Sequence, residues 1–353
     1  MKRKLLSFVA IGALFTACTT DIDINAPYEE QTVVYGLLDY ADTAHELKIG
    51  RTFLGEANAL DMAQQFDSLY YGDTIEVYLT DLDDGTQYEF EYNVESNKPD
   101  GIFASPDQVV YRANMVLNDD HDYRLSVVTS ETEPPTEAST GLVREFRIVR
   151  PTTLQRINLA GPGDFTVEWN SARNGKIYEL WAELHYLETD RQNLADSVMK
   201  KAVWRIKSDM ESRNTNGGED MSFDIQYPNF FTAMKAVIPV NENVNRYLRG
   251  ITFYVSAGTE EFGLYRQVYE PSGGIVQERP PYTNLSNGIG IFTSLHTESR
   301  YSEKILRDLN NPNNDRNYTN DSLSLGQHTC ELRFTSYEVL GTNQIDTVFC
   351  TGD

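Results

Sequence analysis

Basic residues are scarce in this chain of 353 residues. It has 30 Lys and Arg against 53 Asp and Glu, which gives a formal net charge of −23. A surface this acidic repels phosphate backbones and anionic lipid headgroups, so nucleic acid is excluded as a partner and electrostatic attraction is excluded as a membrane anchor. Because 40% of its residues are hydrophobic, the chain can still bury real cores. We expect a globular protein of about two domains.

The sequence also lacks the motifs that mark common catalytic and metal sites. No two of the five histidines have metal-ligand spacing, and no HExxH, CxxC, P-loop or GxGxxG pattern occurs. Ser197 and Lys200 form an SxxK pattern whose SDN and KTG companions are missing, which indicates a chance match. Asp81 to Gly85 (DLDDG) suits an acidic hairpin turn better than a calcium loop, because its glycine comes one position early for an EF-hand. We expect no catalytic residue, metal or cofactor, and no enzymatic activity.

The aromatic content leaves two interpretations open. The 21 Tyr and 16 Phe could line a face that binds sugars or peptides. Strands of β-sandwiches use the same residues for packing, and we favour packing. The sequence does not identify a ligand.

Long hydrophobic runs are absent after residue 17, where no segment reaches the roughly 18 apolar residues of a membrane helix. The N-terminus has a basic start (MKRK) and an apolar run from Leu5 to Ala17, which suits the core of a signal peptide. Phe15 to Cys18 (FTAC) resembles a lipobox in which Phe replaces the usual Leu. We expect residues 1–17 to be a removed signal peptide and Cys18 to carry the lipid. An ordinary signal peptide with a chance cysteine is the alternative.

Residues 18–30 are predicted to form a lipidated tether. Thr19, rather than Asp, follows the cysteine, which argues against retention in the inner membrane. Asp21 and Asp23 stand where related lipoproteins carry acidic surface-export signals, although a solvated acidic linker has the same composition. We therefore expect a lipid-anchored outer-membrane protein, with the cell-surface leaflet favoured over the periplasmic leaflet. Removal of the signal peptide would take the net charge to −26, because it carries three basic residues.

Cysteine is rare, with three residues in the whole chain. Once Cys18 is lipidated, Cys330 and Cys350 make an even pair. In an oxidising compartment this parity predicts one disulfide between them. Two free buried thiols are the alternative.

Short runs rich in Val, Ile, Tyr and Phe recur between turn signals after residue 30. Asp84-Gly85, between two alternating runs, is a hairpin signal. The spacing predicts an antiparallel β-sandwich over residues 31–150 and a larger β-rich domain over residues 151–353. The predicted strands are Thr32–Leu38, Glu46–Phe53, Thr74–Thr80, Thr86–Val94, Val109–Leu117, Tyr123–Thr129, Phe165–Trp169, Lys176–Leu187, Val203–Lys207, Met221–Gln226 and Gly250–Ala257.

A few segments depart from the strand pattern. Apolar residues at helical spacing predict short helices over Ala57–Tyr70, Phe230–Ala236 and Tyr301–Leu309. Glu131–Gly141 (ETEPPTEASTG) has no apolar period, which predicts an exposed loop or the approach to the second domain. Thr329–Cys350 is compatible with a final hairpin.

Two segments carry a family resemblance. Thr32–Asp39 (TVVYGLLD) follows the tether, and Thr283–Ser294 (TNLSNGIGIFTS) comes much later. Together they resemble the best marks of the Bacteroidota lipoproteins catalogued as domain of unknown function 4249, over essentially the whole mature chain. The resemblance implies tandem immunoglobulin-like or prealbumin-like β-sandwich domains, outer-membrane attachment and association with TonB-dependent transporters. It implies no catalytic residue.

One short sequence pattern occurs more often than the composition predicts. Asp, then Ser or Thr, then Ala, Ile, Leu, Val, Met or Thr occurs six times, whereas random composition gives about one match. The triplet is similar to the acceptor motif of periplasmic O-glycosylation in Bacteroidota, and turn chemistry at strand entrances is the alternative. The predicted acceptors are Thr43, Ser68, Thr74, Ser197, Ser322 and Thr347.

These observations lead to one expected function. We expect a non-enzymatic outer-membrane lipoprotein that acts as an accessory or binding subunit of a TonB-dependent transporter. A free-standing surface lipoprotein for adhesion or envelope architecture is the alternative, and an envelope hydrolase ranks third because no catalytic constellation is recognisable.

Overall fold

The structure is a computed structural model that describes residues 30–53, 58–130, 132–160, 163–193, 195–269, 282–303, 319, 322–323 and 329–335. Most elements in these ranges are strands, arranged in three sheets. The predicted fold class is confirmed: the chain is mainly β and is built from tandem β-sandwich units with a few short helices.

Alternation of buried and exposed residues produces the strands of the first half, as in β1, where Val34 and Leu38 are fully buried and Tyr35 and Leu37 are exposed. The strands are β1 (Thr32–Leu38), β2 (Ala44–Arg51), β3 (Glu76–Asp81), β4 (Gln87–Glu89), β5 (Glu91–Glu95), β6 (Gln108–Asn114), β7 (Asp122–Val128) and β8 (Thr136–Gly141). Two short helices, α1 (Ala59–Ala63) and α2 (Phe66–Leu69), connect β2 to β3.

The second half has longer strands. They are β9 (Ile148–Arg150), β10 (Phe165–Asn170), β11 (Ile177–Asp190), β12 (Ser197–Glu211), β13 (Asp220–Ile225), β14 (Val244–Gly258) and β15 (Gly288–Ser302). The helices of this half are α3 (Tyr227–Val237) and α4 (Glu260–Tyr269), and a 3₁₀ turn, η1 (Cys330–Leu332), follows. Within the described part of the chain, no helix combines the length and the hydropathy of a membrane span.

One eight-stranded sheet runs through both halves, in the order β12-β11-β14-β15-β1-β2-β6-β5. A four-stranded sheet, β4-β3-β7-β8, and the β1, β2 and β6 part of the large sheet contribute side chains to the first core. A three-stranded sheet, β13-β10-β9, and the β12, β11 and β14 part share the second core with α3. The molecule is therefore two sandwiches joined by a common sheet.

The junction is the parallel pair of β1 and β15, which places Thr32 opposite Gly288 and Leu38 opposite Ser294. The two segments that carry the family resemblance are thus hydrogen-bonded neighbours. Gly290 has a φ of 113°, and a Cβ there would overlap the carbonyl oxygen of Val34 on β1. Only glycine fits this close approach of the two strands without strain.

The first core includes two residues from late in the sequence. Buried residues of the first core run from Val34 to Leu142, and Leu285 and Phe292 join them from the far end of the chain. The second core begins at Val143. The domain bounds 31–150 and 151–353 stay a prediction, since each half depends on β15 for its sheet.

In the first half, one predicted helix and one predicted strand are each two separate elements in the structure. The single helix over Ala57–Tyr70 is wrong: α1 and α2 are separate, and residue 57 lies outside the described residues. The strand over Thr86–Val94 is also wrong as one element, because β4 pairs with β3 whereas β5 pairs with β6 in the large sheet. Phe90 lies between them, turned into the first core with its N–H donated to the carbonyl of Val77.

Four further segments differ from the sequence-based prediction. The loop over Glu131–Gly141 is wrong, because residues 136–141 form β8 paired with β7. Tyr301 lies in β15, which ends at Ser302, instead of opening a helix, and residues 304–309 lie outside the described residues. Helix α4 was not predicted. Of the final hairpin predicted over Thr329–Cys350, the structure describes residues 329–335, which form the 3₁₀ turn η1 and a parallel bridge between Phe334 and Arg246.

Candidate functional site

The outward side of β11 carries aromatic and titratable side chains next to one another. Because strand side chains alternate between two faces, Leu180, Ala182 and Leu184 enter the second core. Trp181 and His185 fall on the opposite side of the strand and stay partly exposed. The cross-strand register brings β12, β14 and β15 residues beside them.

Aromatic rings cover this side of the sheet. Trp181 stacks on Tyr254 of β14, with 3.8 Å between ring centroids and 5° between ring planes. The ring of Tyr301 lies over Gly250, where a Cβ would overlap it, and 52% of Tyr301 is exposed. His185 contacts Tyr301 edge-on at 5.8 Å. The glycine thus lets an aromatic ring lie against the strands with accessible surface.

Charged groups flank the rings. The Glu183 carboxylate accepts hydrogen bonds from Lys201 Nζ at 2.6 Å and from the Tyr254 hydroxyl at 3.2 Å. The hydrogen bond and charge of Glu183 raise the pKa of Lys201. Burial lowers the pKa of His185, so this imidazole is neutral at pH 7, and its Nε2 lies 2.8 Å from Thr252 Oγ1.

We call this set the aromatic face; its members are Trp181, Glu183, His185, Lys201, Tyr254 and Tyr301. Flat rings beside hydrogen-bonding groups suit the apolar sides of sugar rings or the side chains of a protein partner. The sequence interpretation favoured packing for the aromatics, and Trp181 and Tyr254 do pack on each other. The exposure of Tyr301 leaves surface for binding as well.

A second cluster surrounds His296 on β15. Its Nδ1 lies 2.8 Å from Asp39 Oδ1, and its Nε2 lies 3.3 Å from both Glu298 Oε1 and the Tyr40 hydroxyl. The Phe146 ring meets the imidazole edge-on at 5.8 Å. The cluster connects the turn after β1 with the strand that both sandwiches share.

Burial and neighbouring carboxylates shift the pKa values of His296 and Tyr40. Burial lowers the pKa of His296, but the hydrogen bonds and charges of Asp39 and Glu298 outweigh it and raise the pKa above 6.5. Burial and the surrounding carboxylates, led by Glu145, raise the pKa of Tyr40 to about 12. The contacts of His296 with Asp39 and Tyr40 hold the turn after β1 against β15.

A third cluster lies at the turn from Asp81 to Gly85, which was predicted from the sequence as an acidic hairpin turn. Asp81, Asp83 and His121 bring three ligand atoms within 4.8 Å of one another, a set that could hold a metal ion. Sequence spacing missed it, because His121 is 40 residues from Asp81. Asp81 Oδ2 lies 2.7 Å from His121 Nδ1, its Oδ1 accepts N–H groups of the turn, and Asp83 accepts the N–H of Asp122. Turn bonding thus accounts for these contacts.

A polar cavity of about 250 Å³ opens where the two sandwiches meet. Asp122 and Thr140 line it from the first half, and Asn174, Glu260 and Glu261 line it from the second. Its carboxylates would favour a cationic occupant, but nothing further in the described residues points to one.

The structure describes part of the predicted cysteine chemistry. Cys330 is buried and disulfide-bonded. Cys18 and Cys350 lie outside the described residues. Lipidation of Cys18 and the pairing of Cys330 with Cys350 therefore stay predictions.

The predicted glycosylation sites are spread over the molecule. Thr43 is exposed just before β2, Ser197 is exposed at the start of β12, and Thr74 is exposed just before β3. Ser68 in α2 and Ser322 are half-buried, and Thr347 lies outside the described residues. Modification stays a prediction at each of them.

Comparisons with known proteins give no sequence match and a distant structural similarity. Neither a family model nor a curated protein sequence matches this chain. Among solved structures, the C-terminal globular domain of an oligosaccharyltransferase from Pyrococcus abyssi is similar at 13% identity, with a TM-score of 0.23. The alignment covers 63% of this chain and 44% of that one. A likeness of this degree says nothing about what the chain binds or does.

Proposed function

We propose that this protein is a lipid-anchored subunit of the outer membrane that binds a TonB-dependent transporter and serves it without catalysing a reaction. The aromatic face is the observation on which the proposal rests. It combines accessible rings with an ion pair between the buried Glu183 and the exposed Lys201 on rigid strands, and sites on strands hold their geometry better than sites on loops.

The energetics of a protein interface support this assignment. Trp and Tyr dominate interface hot spots, because each removes a large apolar area from water while its polar atom keeps a hydrogen bond. Tyr254 has this bond through Glu183, and Tyr301 donates its hydroxyl to the carbonyl of Arg249. These groups need no new partner when a second surface covers the rings.

The anchor supports the choice of partner. A lipid at Cys18 would hold the domain beside a barrel in the same membrane and raise the effective concentration of the two without any strong contact. The net charge of the mature chain, −26, disfavours close self-association. A complex with a different protein is favoured over a homo-oligomer, and the family resemblance names a transporter.

The test is affinity purification of the lipidated protein from gently solubilised native membranes. The wild type is expected to bring down one large β-barrel. Replacement of Trp181 and Tyr301 with Ala is expected to reduce the amount of that barrel by about tenfold or more, as loss of two hot-spot rings does. Tyr227→Ala is the control, because Tyr227 is 48% exposed on α3.

Two results would change the account, and a folding control accompanies them. A variant that retains the barrel contradicts the role of the aromatic face. Recovery of the wild type as a lone monomer favours the free-standing adhesion or envelope protein. Unfolding of the variant is checked by near-UV circular dichroism, and Trp181→Phe with Tyr301→Phe then separates folding from binding, because both rings stay.

A further inference from the structure

Three apolar side chains form an exposed tip on the first sandwich. Leu60 is 60% exposed, Ile102 is 64% exposed and Phe103 is 50% exposed. Leu60 belongs to α1, and the other two lie in the connection between β5 and β6. We call these three residues the apolar tip.

Hydrogen bonds hold the connection between β5 and β6 against the end of α1. Gln64 Nε2 donates to the carbonyls of Gly101 and Ile102, at 3.1 and 2.5 Å, and the N–H of Ala104 donates to the carbonyl of Ala63 at 2.8 Å. Leu60 is one helical turn before these residues, on the same side of α1. The bonds thus fasten the loop to the helix and keep Ile102 and Phe103 near it.

The charged side chains of this loop also form hydrogen bonds within it. Asp100 accepts from Ser105 at 2.8 Å, and Asp107 accepts from Ser96 at 2.5 Å. Lys98 donates to the carbonyl of Ala104, and its Nζ lies 5.5 Å from the centre of the Phe103 ring. The apolar tip therefore lies beside one lysine and two aspartates, each of which has a hydrogen-bond partner within the loop.

Strand register places this tip at the end of the sheet where the tether arrives. Thr32 at the start of β1 is opposite Arg51 at the end of β2. Glu95 at the end of β5 is opposite Gln108 at the start of β6. Because β6 is antiparallel to β2, the start of β6 and the end of β2 share one end of the sheet.

The tether is fastened at that same end. Glu30, the first described residue, forms an ion pair with Arg51 at 3.1 Å, and Arg51 also donates to the carbonyl of Asp67 in α2. Eleven residues lie between Cys18 and Glu30, which are twelve residue steps apart. Fully extended, they would span at most about 40 Å, so a lipid at Cys18 keeps this end of the sandwich near the bilayer.

We propose that the apolar tip dips into the headgroup layer of the membrane that holds the N-terminal lipid. This inference rests on the lipid anchor of the proposed function. The tip and the lipid make two contacts with the same surface, and the second contact costs little because the first already holds the chain there. Two contacts fix the orientation of the sandwich, whereas a tether alone leaves it free to rotate.

The test uses tryptophan fluorescence of the full lipidated chain in phosphatidylcholine vesicles with brominated acyl chains. The Phe103→Trp variant is compared with Val116→Trp, after the emission of the unsubstituted chain is subtracted. Val116 is a matched control, because it is 73% exposed and follows β6 at the opposite end of the sheet. We expect the bromine atoms to quench roughly half or more of the Phe103→Trp signal and to leave the Val116→Trp signal unchanged. Adding Leu60→Ser and Ile102→Ser should reverse the quenching.

The outcomes separate the tip from the anchor. A chain that fails to sediment with the vesicles contradicts the lipid at Cys18 and the proposed function with it. A chain that sediments while Phe103→Trp and Val116→Trp are quenched equally, or not at all, overturns the apolar tip alone. A blue shift of the Phe103→Trp signal that appears only with a co-purified barrel, without bromine quenching, assigns the tip to a protein surface and also overturns the proposal.

Discussion

His296 Nδ1 lies 2.8 Å from Asp39 Oδ1, and this contact fastens the turn after β1 to the strand shared by both sandwiches. The side chain of His296 is only 5% exposed. Because the folded state raises its pKa, the folded state binds a proton more tightly than the unfolded chain does. The pair therefore contributes stability that is fully present below pH 6.5 and is lost as the pH rises through the raised pKa.

Asp39→Asn tests this dependence. We expect the substitution to lower the free energy of unfolding by about 1 kcal/mol at pH 6, and the difference from wild type to shrink towards zero at alkaline pH. Urea unfolding across the pH range measures it. Asp42→Asn, at an exposed neighbour, should show little effect at either pH. A difference that stays constant with pH would show that His296 is not charged in the folded protein.

Arg246 is the most deeply buried charge among the described residues of the second sandwich, with no exposed surface. It donates to Glu188 at 2.9 Å and to the carbonyls of Leu332 and Pro239 at 2.6 and 2.8 Å. Arg246→Met would leave a buried carboxylate with one cationic partner, Lys200, and two carbonyls without their donor. We expect a loss of about 3–5 kcal/mol in the free energy of unfolding.

Chemical denaturation measures that loss against a matched control. Arg205→Met removes an arginine that is 85% exposed and 3.6 Å from Glu179, and should change the free energy of unfolding by less than about 0.5 kcal/mol. Equal effects of the two substitutions would contradict the role of the Arg246 network in holding the C-terminal segment.

We expect glycan occupancy at each predicted acceptor to increase with the exposure of that residue. Thr43, Thr74 and Ser197 are exposed, whereas Ser68 and Ser322 are half-buried. A glycan needs solvent, so in protein from the native host we expect occupancy at the first three to exceed occupancy at the other two. Site-resolved mass spectrometry measures it. An intact mass equal to that of the bare lipidated polypeptide would contradict modification altogether.

The disulfide of Cys330 has a predicted partner. With Cys18 lipidated, Cys350 is the remaining cysteine of the chain. Alkylation without reduction, followed by peptide mapping, should recover the Cys330 and Cys350 peptides as one linked species. Recovery of both as alkylated thiols would contradict the bond.

Local alternation explains which elements could be predicted from sequence. Strand β1 is found with its predicted bounds, because buried Val34 and Leu38 alternate with exposed Tyr35. Strand β8 was missed because its inward residues include Thr136 and Thr140 rather than large apolar side chains. Threonine packs in strands through its branched Cβ, but it carries no hydrophobic signal in a Pro- and Glu-rich stretch.

The candidate site depended on contacts far apart in the chain. Trp181, Tyr254 and Tyr301 come from three strands, and only the register of the folded sheet brings them to one side. His296 and Asp39 are 257 residues apart, and no periodicity connects them. Composition indicated abundant aromatics, but it could not show which rings keep exposed surface.

Nutrient uptake tests the central claim most directly, because a subunit that serves a transporter must change transport. The measurement is uptake in a strain that lacks this protein, complemented with the wild type, with the Trp181→Ala and Tyr301→Ala double variant, or with Tyr227→Ala. We expect deletion to abolish uptake of one nutrient, and the wild type and Tyr227→Ala, but not the double variant, to restore it. Unchanged uptake and growth on every nutrient after deletion would contradict the account.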